Sequence, residues 1–320
     1  MIQEHDEHAR DGSGTFVTDG GIETDLIYRR GADLPHFAAF PLLETAEGQA
    51  MLRGYYAEYA AIASASGRSL MLETPTWRAN PDWGQLLGYS AGDLDRVNRT
   101  AITFMAELRR AYLDGVGDIR ISGTVGPRHD GFSAECAPDP DVARDYHQPQ
   151  LAAFAAAHAD LATAYTITHV GEAIGIVRAA RIEGLPIAVS FTLDSDGRLL
   201  SGITLAQAVD QVDASAAPDY FLVNCAHPSH IEAAVSEPGE WTRRIAGTRA
   251  NASAASHADL DEAVARGDGA PSEFVAAQRE LMSRLPHLSI LGGCCGTDER
   301  HIAALMQIDG PDSRSKTPKG

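Results

Sequence analysis

Four cysteines stand at positions 136, 225, 294 and 295 of a 320-residue chain, two of them adjacent. Adjacent cysteines are poorly placed to bridge each other. A thiolate is both a nucleophile and a metal ligand, and a catalytic zinc takes three protein ligands, with thiolates at about 2.3 Å, leaving a fourth position for substrate. Cys225, Cys294 and Cys295 could supply those three ligands if the fold brings them together. Gly292, Gly293 and Gly296 flank the adjacent pair and would permit the sharp turn that two consecutive side chains need to face one ion. No CxxC clamp is present, and cysteines are often simply buried, so spacing alone leaves both readings open. Cys136, in the acidic, proline-containing stretch 133–140, has no partner in the pattern and reads as a plain thiol.

The elements that would position these residues alternate along the chain. Short β-branched or apolar runs at 15–19, 69–73, 119–124, 160–165, 186–192, 220–225, 244–249 and 288–291 read as strands. Between them, Ala/Leu-rich segments such as 48–66, 93–113, 142–158, 171–183 and 205–214 are long enough to be crossover helices. Eight strand–helix repeats predict an α/β fold, a single (β/α)8 TIM barrel spanning 15–309 between polar tails at 1–14 and 310–320; an open doubly wound sheet is the alternative. In such barrels the active site lies at the C-terminal ends of the strands. The unusual polar sequences fall there: Asp19-Gly20-Gly21, Glu73-Thr74-Pro75-Thr76-Trp77, Gly126-Pro127, Asn224-Cys225, Arg249-Ala250-Asn251 and Gly292-Gly293-Cys294-Cys295-Gly296. Three of the four cysteines are thereby expected on one rim.

Composition excludes several classes of function. Lysine plus arginine number 26 and aspartate plus glutamate 44, a formal charge of −18, which repels nucleic acid and anionic lipid. A membrane span needs about 20 apolar residues, and no run approaches that length. The start, MIQEHDEHARDGSG, is unlike a signal or transit peptide, so the cytoplasm is the expected compartment. Gly115-Val116-Gly117 lacks the third glycine of a dinucleotide-binding loop and reads as a turn. His227, His230, His257 and His301 lie near the motif loops and read as helix-start or supporting residues rather than metal ligands.

Taken together, Asp19-Gly20-Gly21, Gly126-Pro127, Asn224-Cys225 and Gly292-Gly293-Cys294-Cys295-Gly296 resemble the homocysteine S-methyltransferase family, whose members include S-methylmethionine- and betaine-dependent enzymes. The resemblance runs over nearly the whole chain. It implies a (β/α)8 barrel that binds Zn2+ through Cys225, Cys294 and Cys295 and transfers a methyl group from a small sulfonium or ammonium donor, S-methylmethionine first, to a thiol such as homocysteine, giving methionine. It also implies that Asp19 is a catalytic, substrate-facing carboxylate with Gly20 beside it, and that Asn251 contacts substrate or holds a loop.

The sequence departs from that pattern where the family carries a glutamate at the end of the fourth strand: Tyr165 falls there. Tyrosine is neutral at pH 7 and cannot pair with a substrate ammonium as a carboxylate does. The alternatives are a different thiol acceptor, a nearby carboxylate that compensates, with Glu73 the best candidate, or a tyrosine hydroxyl that itself touches metal or substrate. A solvated rim position is the other reading of Glu73. Trp77 could offer its face to a cationic methyl donor, whereas Arg78 would oppose one unless it reads a carboxylate or pairs with Glu73. A non-catalytic barrel that binds zinc or a thiol is the reading from another functional class. The oligomeric state is open.

Overall fold

The computed structural model describes residues 15–129, 138–254 and 269–307. Cys136, His257 and both expected tails lie outside that range. Eight parallel strands close into a barrel in sequence order, β1 (Phe16–Val17), β2 (Ser69–Glu73), β3 (Ile119–Val125), β4 (Leu161–Ile167), β5 (Ile187–Phe191), β6 (Tyr220–Asn224), β7 (Ile245–Ala250) and β8 (Ile290–Gly293), with β8 pairing back to β1. The barrel reading therefore holds and the open sheet does not. Among the described residues no helix is long and apolar enough to cross a membrane.

Pleating sorts the side chains. Phe16, Met71, Leu161, Tyr165, Ala188, Leu222 and Ile290 form a separate cluster contributed by six strands, the filled interior of the barrel. Their neighbours Val17, Leu70, Leu72, Ala162, Ala164 and Val189 belong to the larger core between the strands and the helices. This period-2 alternation also turns Glu73 inward, two residues beyond Met71.

The helices follow local signals. Helix Ala46–Ser66 begins where the Thr45 hydroxyl accepts from Gly48 N–H and ends at Gly67 in the left-handed conformation. Helices Ala91–Tyr112 and Leu205–Ala216 each open with a capping box, Ser90 with Asp93 and Thr204 with Gln207. Gly48, expected to start its helix, instead receives the cap, so the helix begins two residues earlier. Helices Pro81–Leu86, Pro228–Ala234, Pro271–Arg284 and Glu299–Met306 are not among the segments the sequence pattern singles out; three are a few turns at most, too short to show a periodic stripe. Gly115 and Gly117 lie in the connection from helix Ala91–Tyr112 to β3, consistent with a turn.

Two strand ends differ from expectation in a way that matters. β4 continues to Ile167, and its register against β5 shifts between Ala164 and Ile167, where Thr166 adopts φ +62°. β8 is placed later, at Ile290–Gly293, so Gly292 and Gly293 are strand residues, and of the three glycines around the cysteine pair Gly296 alone takes positive φ, +76°. The sharp turn therefore follows the adjacent cysteines rather than preceding them.

Candidate active site

The strand ends enclose a cavity of about 260 Å3, near the small end of ligand pockets. Asp19, Gly20, Glu73, Trp77 and Tyr165 all line it, as do Cys225, Cys294 and Cys295. Asn251 does not. It is 2% exposed, its N–H donates to Ala226 O at 3.0 Å, and its amide oxygen is buried without a hydrogen-bond partner among the described residues. The bond from its N–H belongs to the main chain and leaves both readings of its side-chain amide as they stood.

The three cysteines come together through β7. Cys225 N–H donates to Arg249 O at 3.1 Å, Cys294 N–H to Ala250 O at 2.9 Å, and Ala252 N–H to Cys295 O at 3.1 Å. The end of one strand is therefore the template for both cysteine segments, one on each side of it. Cys225 itself sits at φ +53°, a conformation that costs a β-region residue roughly 1–3 kcal/mol. Its side chain is thereby redirected toward the others.

The three sulfurs lie within 4.8 Å of one another. Tetrahedral zinc with 2.3 Å bonds spaces its sulfur ligands by about 3.8 Å, and the Cys225–Cys295 separation of 3.9 Å meets that spacing. Cys225 and Cys294 are joined as a disulfide, with Cα atoms 5.5 Å apart, while Cys295 is free of a disulfide. Both paired sulfurs must be reduced before they can ligate together. In donor chemistry the three thiols suit a zinc ion once reduced, and the Cys225–Cys295 pair already has the spacing of two such ligands.

The remaining polar groups form a connected set. The Tyr165 hydroxyl donates to Glu73 Oε1 at 2.8 Å, and Thr124 Oγ1 donates to Glu73 Oε2 at 3.3 Å. Glu73 is 4% exposed, which rules out the solvated-rim reading; inward pleating carries it into the barrel. Burial pushes its carboxyl up to about 7, against the pull of Arg249. Burial likewise raises the Tyr165 phenol well above its ordinary value, with the Glu73 charge adding to the effect. The ring sits in the barrel cluster with its hydroxyl turned to the carboxylate.

Asp19 is already paired. It forms a buried ion pair with Arg249 and accepts from the Tyr55 hydroxyl at 3.0 Å. Burial raises its carboxyl, and Arg249 opposes the rise. Any ammonium that approached Asp19 would compete with a guanidinium in place. Glu23, half-buried on the turn Ile22–Thr24, is a third carboxyl lining the cavity, pushed up to about 7 chiefly by burial.

At the mouth, the Arg78 guanidinium lies 3.6 Å from the Trp83 ring centroid and 4.8 Å from that of Trp77. The guanidinium is thus stacked against two indoles. The Trp77 indole N–H points to Tyr165 O at 3.4 Å. His227 caps helix Pro228–Ala234 through Ser229 N–H, and buried His301 bonds Asp298 and Gly269 O.

Sequence reasoning misses four residues. Arg249 and Tyr55 are visible as residues but not as partners of Asp19, because their partner lies far away in the chain. Glu23 follows the Asp19-Gly20-Gly21 motif on a turn too short to show periodicity. Asn224 belongs to a motif, but its work is structural: its Oδ1 accepts from Thr166 N–H at 2.9 Å and from Ser190 at 2.7 Å, and its Nδ2 donates to Thr166 Oγ1 at 2.9 Å. It pins the strained residue that follows Tyr165.

Several solved structures share this architecture. The metallated form of the homocysteine methyltransferase MmuM from Escherichia coli is 19% identical, with 96% of this chain and 100% of that chain covered and a TM-score of 0.73. Its oxidized form is also 19% identical, with 95% and 99% covered and a TM-score of 0.73, and its apo form is 20% identical, with 94% and 99% covered and a TM-score of 0.66. At that identity the likeness is one of fold. The family model for homocysteine S-methyltransferase matches residues 16–308, more than nine-tenths of the chain, and the protein belongs to that family.

Proposed function

We propose that the protein is a zinc-dependent S-methyltransferase that moves a methyl group from a small sulfonium or ammonium donor, S-methylmethionine first, to a thiol, homocysteine first. The observation that carries this reading is the convergence of three cysteine sulfurs within 4.8 Å at the C-terminal rim of the barrel. The metallated form of the Escherichia coli enzyme supports a metal in such a fold. Cys225, Cys294 and Cys295 would hold the ion. When bound, zinc keeps a coordinated thiol deprotonated near neutral pH, where a free thiol of pKa near 8.5 is mostly protonated.

The chain's own residues do the rest. The Trp77 face, at the cavity wall, suits a cationic methyl group, and Arg78 beside it suits a carboxylate on the same donor. Glu73, fixed by Tyr165 and Thr124, is the carboxyl available to an acceptor ammonium in place of a fourth-strand glutamate. Enclosing the reactants in a small cavity supplies proximity, worth several kcal/mol when the reacting atoms are aligned.

A second reading changes the acceptor. It is favoured by the pairing of Asp19 with Arg249, which neutralises one carboxylate that an amino-acid thiol would use, and by the neutral Tyr165.

The test is zinc content of the reduced protein together with methionine formation from homocysteine and S-methylmethionine. Cys225→Ser or Cys295→Ser is expected to lower bound zinc well below one per chain and to abolish transfer. A zinc-replete protein that leaves homocysteine unmethylated but methylates another small thiol replaces the acceptor. One that methylates no thiol removes the proposal.

A further inference from the structure

Arg249 has so far figured only as the partner of Asp19, yet its side chain ties three segments of the rim together. It stands on β7, between the strands that carry the cysteines, and is 8% exposed. Its Nε donates to Gly293 O at 3.0 Å, and its Nη2 donates to Gly20 O at 2.8 Å and pairs with Asp19. Its own carbonyl accepts Cys225 N–H at 3.1 Å. Burial would lower its pKa, but Asp19 and the other acidic groups around it keep it charged.

The bond to Gly293 O has a geometric consequence. Gly293 C=O and Cys294 N–H belong to one planar peptide unit, and that unit is gripped on both sides: its oxygen by the Arg249 guanidinium, its N–H by Ala250 O at 2.9 Å. A peptide plane held at both ends cannot swing, and so the main chain from which the Cys294 side chain departs is held in place. The same arginine ties this unit to the Asp19-Gly20 turn and, through its main chain, to Cys225.

We propose that Arg249 is a positioning residue for the cysteine site, locking the Gly293–Cys294 peptide and the Asp19-Gly20 turn so that Cys294 faces Cys225 and Cys295 as a ligand. A planar guanidinium with donors in a fixed fork can reach Gly293 O, Gly20 O and Asp19 at once; a lysine ammonium keeps the charge but not the fork. Groups that orient metal ligands typically contribute 10- to 100-fold to metal affinity. The proposal rests on the reading of the three cysteines as a metal site.

The experiment is an anaerobic titration of the reduced wild type, Arg249→Lys and Arg249→Met with Co2+, following the thiolate-to-cobalt charge-transfer absorption, with circular dichroism to verify folding. Wild type is expected to bind one Co2+ with intense charge-transfer bands. Arg249→Lys, which can still neutralise Asp19, is expected to fold but to bind Co2+ roughly 10- to 100-fold more weakly, with reduced charge-transfer intensity per bound ion as Cys294 disengages. A residue needed merely for folding would change stability without changing the spectrum of the bound ion. Wild-type affinity and spectrum in a folded Arg249→Lys overturns the inference and leaves the site reading intact. A wild-type chain that takes up no Co2+ overturns both. Should Arg249→Met not fold, the lysine variant alone decides.

Discussion

Replacing Glu73 with glutamine isolates the energetics of the cavity floor. The side chain is 4% exposed and its carboxyl is raised from 4.5 to about 7. A carboxyl raised on folding stays protonated in the native state while it is ionised in the unfolded chain. Between the two values the native chain therefore binds more protons, and stability falls as pH rises. At about 1.4 kcal/mol for each pH unit separating the folded and unfolded values, the rise from 4.5 to about 7 represents roughly 3 kcal/mol, most of which is lost between pH 5 and pH 8. Glutamine is nearly isosteric: its oxygen can accept from the Tyr165 hydroxyl, and its amide can donate to Thr124 Oγ1. Urea unfolding of wild type and Glu73→Gln at matched metal content, across pH 5 to 8, gives the difference directly. Subtraction cancels Glu23 and the histidines. The variant is expected to lack roughly 2–3 kcal/mol of the wild-type decline and to be the more stable protein at pH 8. Parallel stability curves would refute the assignment of Glu73 as a buried, reluctant carboxylate. If Glu73 also receives the acceptor ammonium, the same variant raises the KM for homocysteine and leaves that for the donor alone.

Two further outcomes test other parts of the rim. A Cβ at Gly21 would lie 2.5 Å from Cys294 O and 2.5 Å from Thr24 Oγ1, so Gly21→Ala should displace the Cys294–Cys295 segment; zinc retained per chain after dialysis against a weak chelator is expected to fall, and full retention would show that the segment can yield. Trp77→Leu removes an aromatic face worth about 1–2 kcal/mol to a desolvated cation, which predicts a roughly 5- to 30-fold higher KM for a sulfonium donor with kcat little changed. An unchanged KM would place the donor elsewhere.

What could be read from the sequence follows a physical line. The barrel was legible because each strand needs a short apolar run and each crossover a longer amphipathic one, so local pattern carries the architecture. The cysteines were legible because thiols are rare and their placement at strand ends follows from the same alternation. Element ends were less so: the start of helix Ala46–Ser66 depends on a hydroxyl at Thr45, and the extension of β4 depends on Thr166 holding a left-handed conformation that Asn224 supports from β6. The second case requires a contact across 58 residues of chain. Nothing local announces it.

The charges were the least legible, for a reason that bears on substrate choice. Read singly, Asp19 is a free carboxylate, Glu73 a rim residue and Arg249 the end of a strand. Together they become a floor that compensates itself: Asp19 against Arg249, and Glu73 raised to about 7 under the Tyr165 hydroxyl. Burying unpaired charge costs several kcal/mol, so interiors pair or neutralise it. An acceptor ammonium entering here must ionise Glu73 or displace Arg249. Selectivity for homocysteine over a thiol without an ammonium should therefore grow as pH rises through about 7, where Glu73 becomes charged. A neutral or anionic thiol gains nothing from that ionisation. The ratio of the two rates across that pH range, in wild type and in Glu73→Gln, reports directly whether Glu73 reads an amino acid.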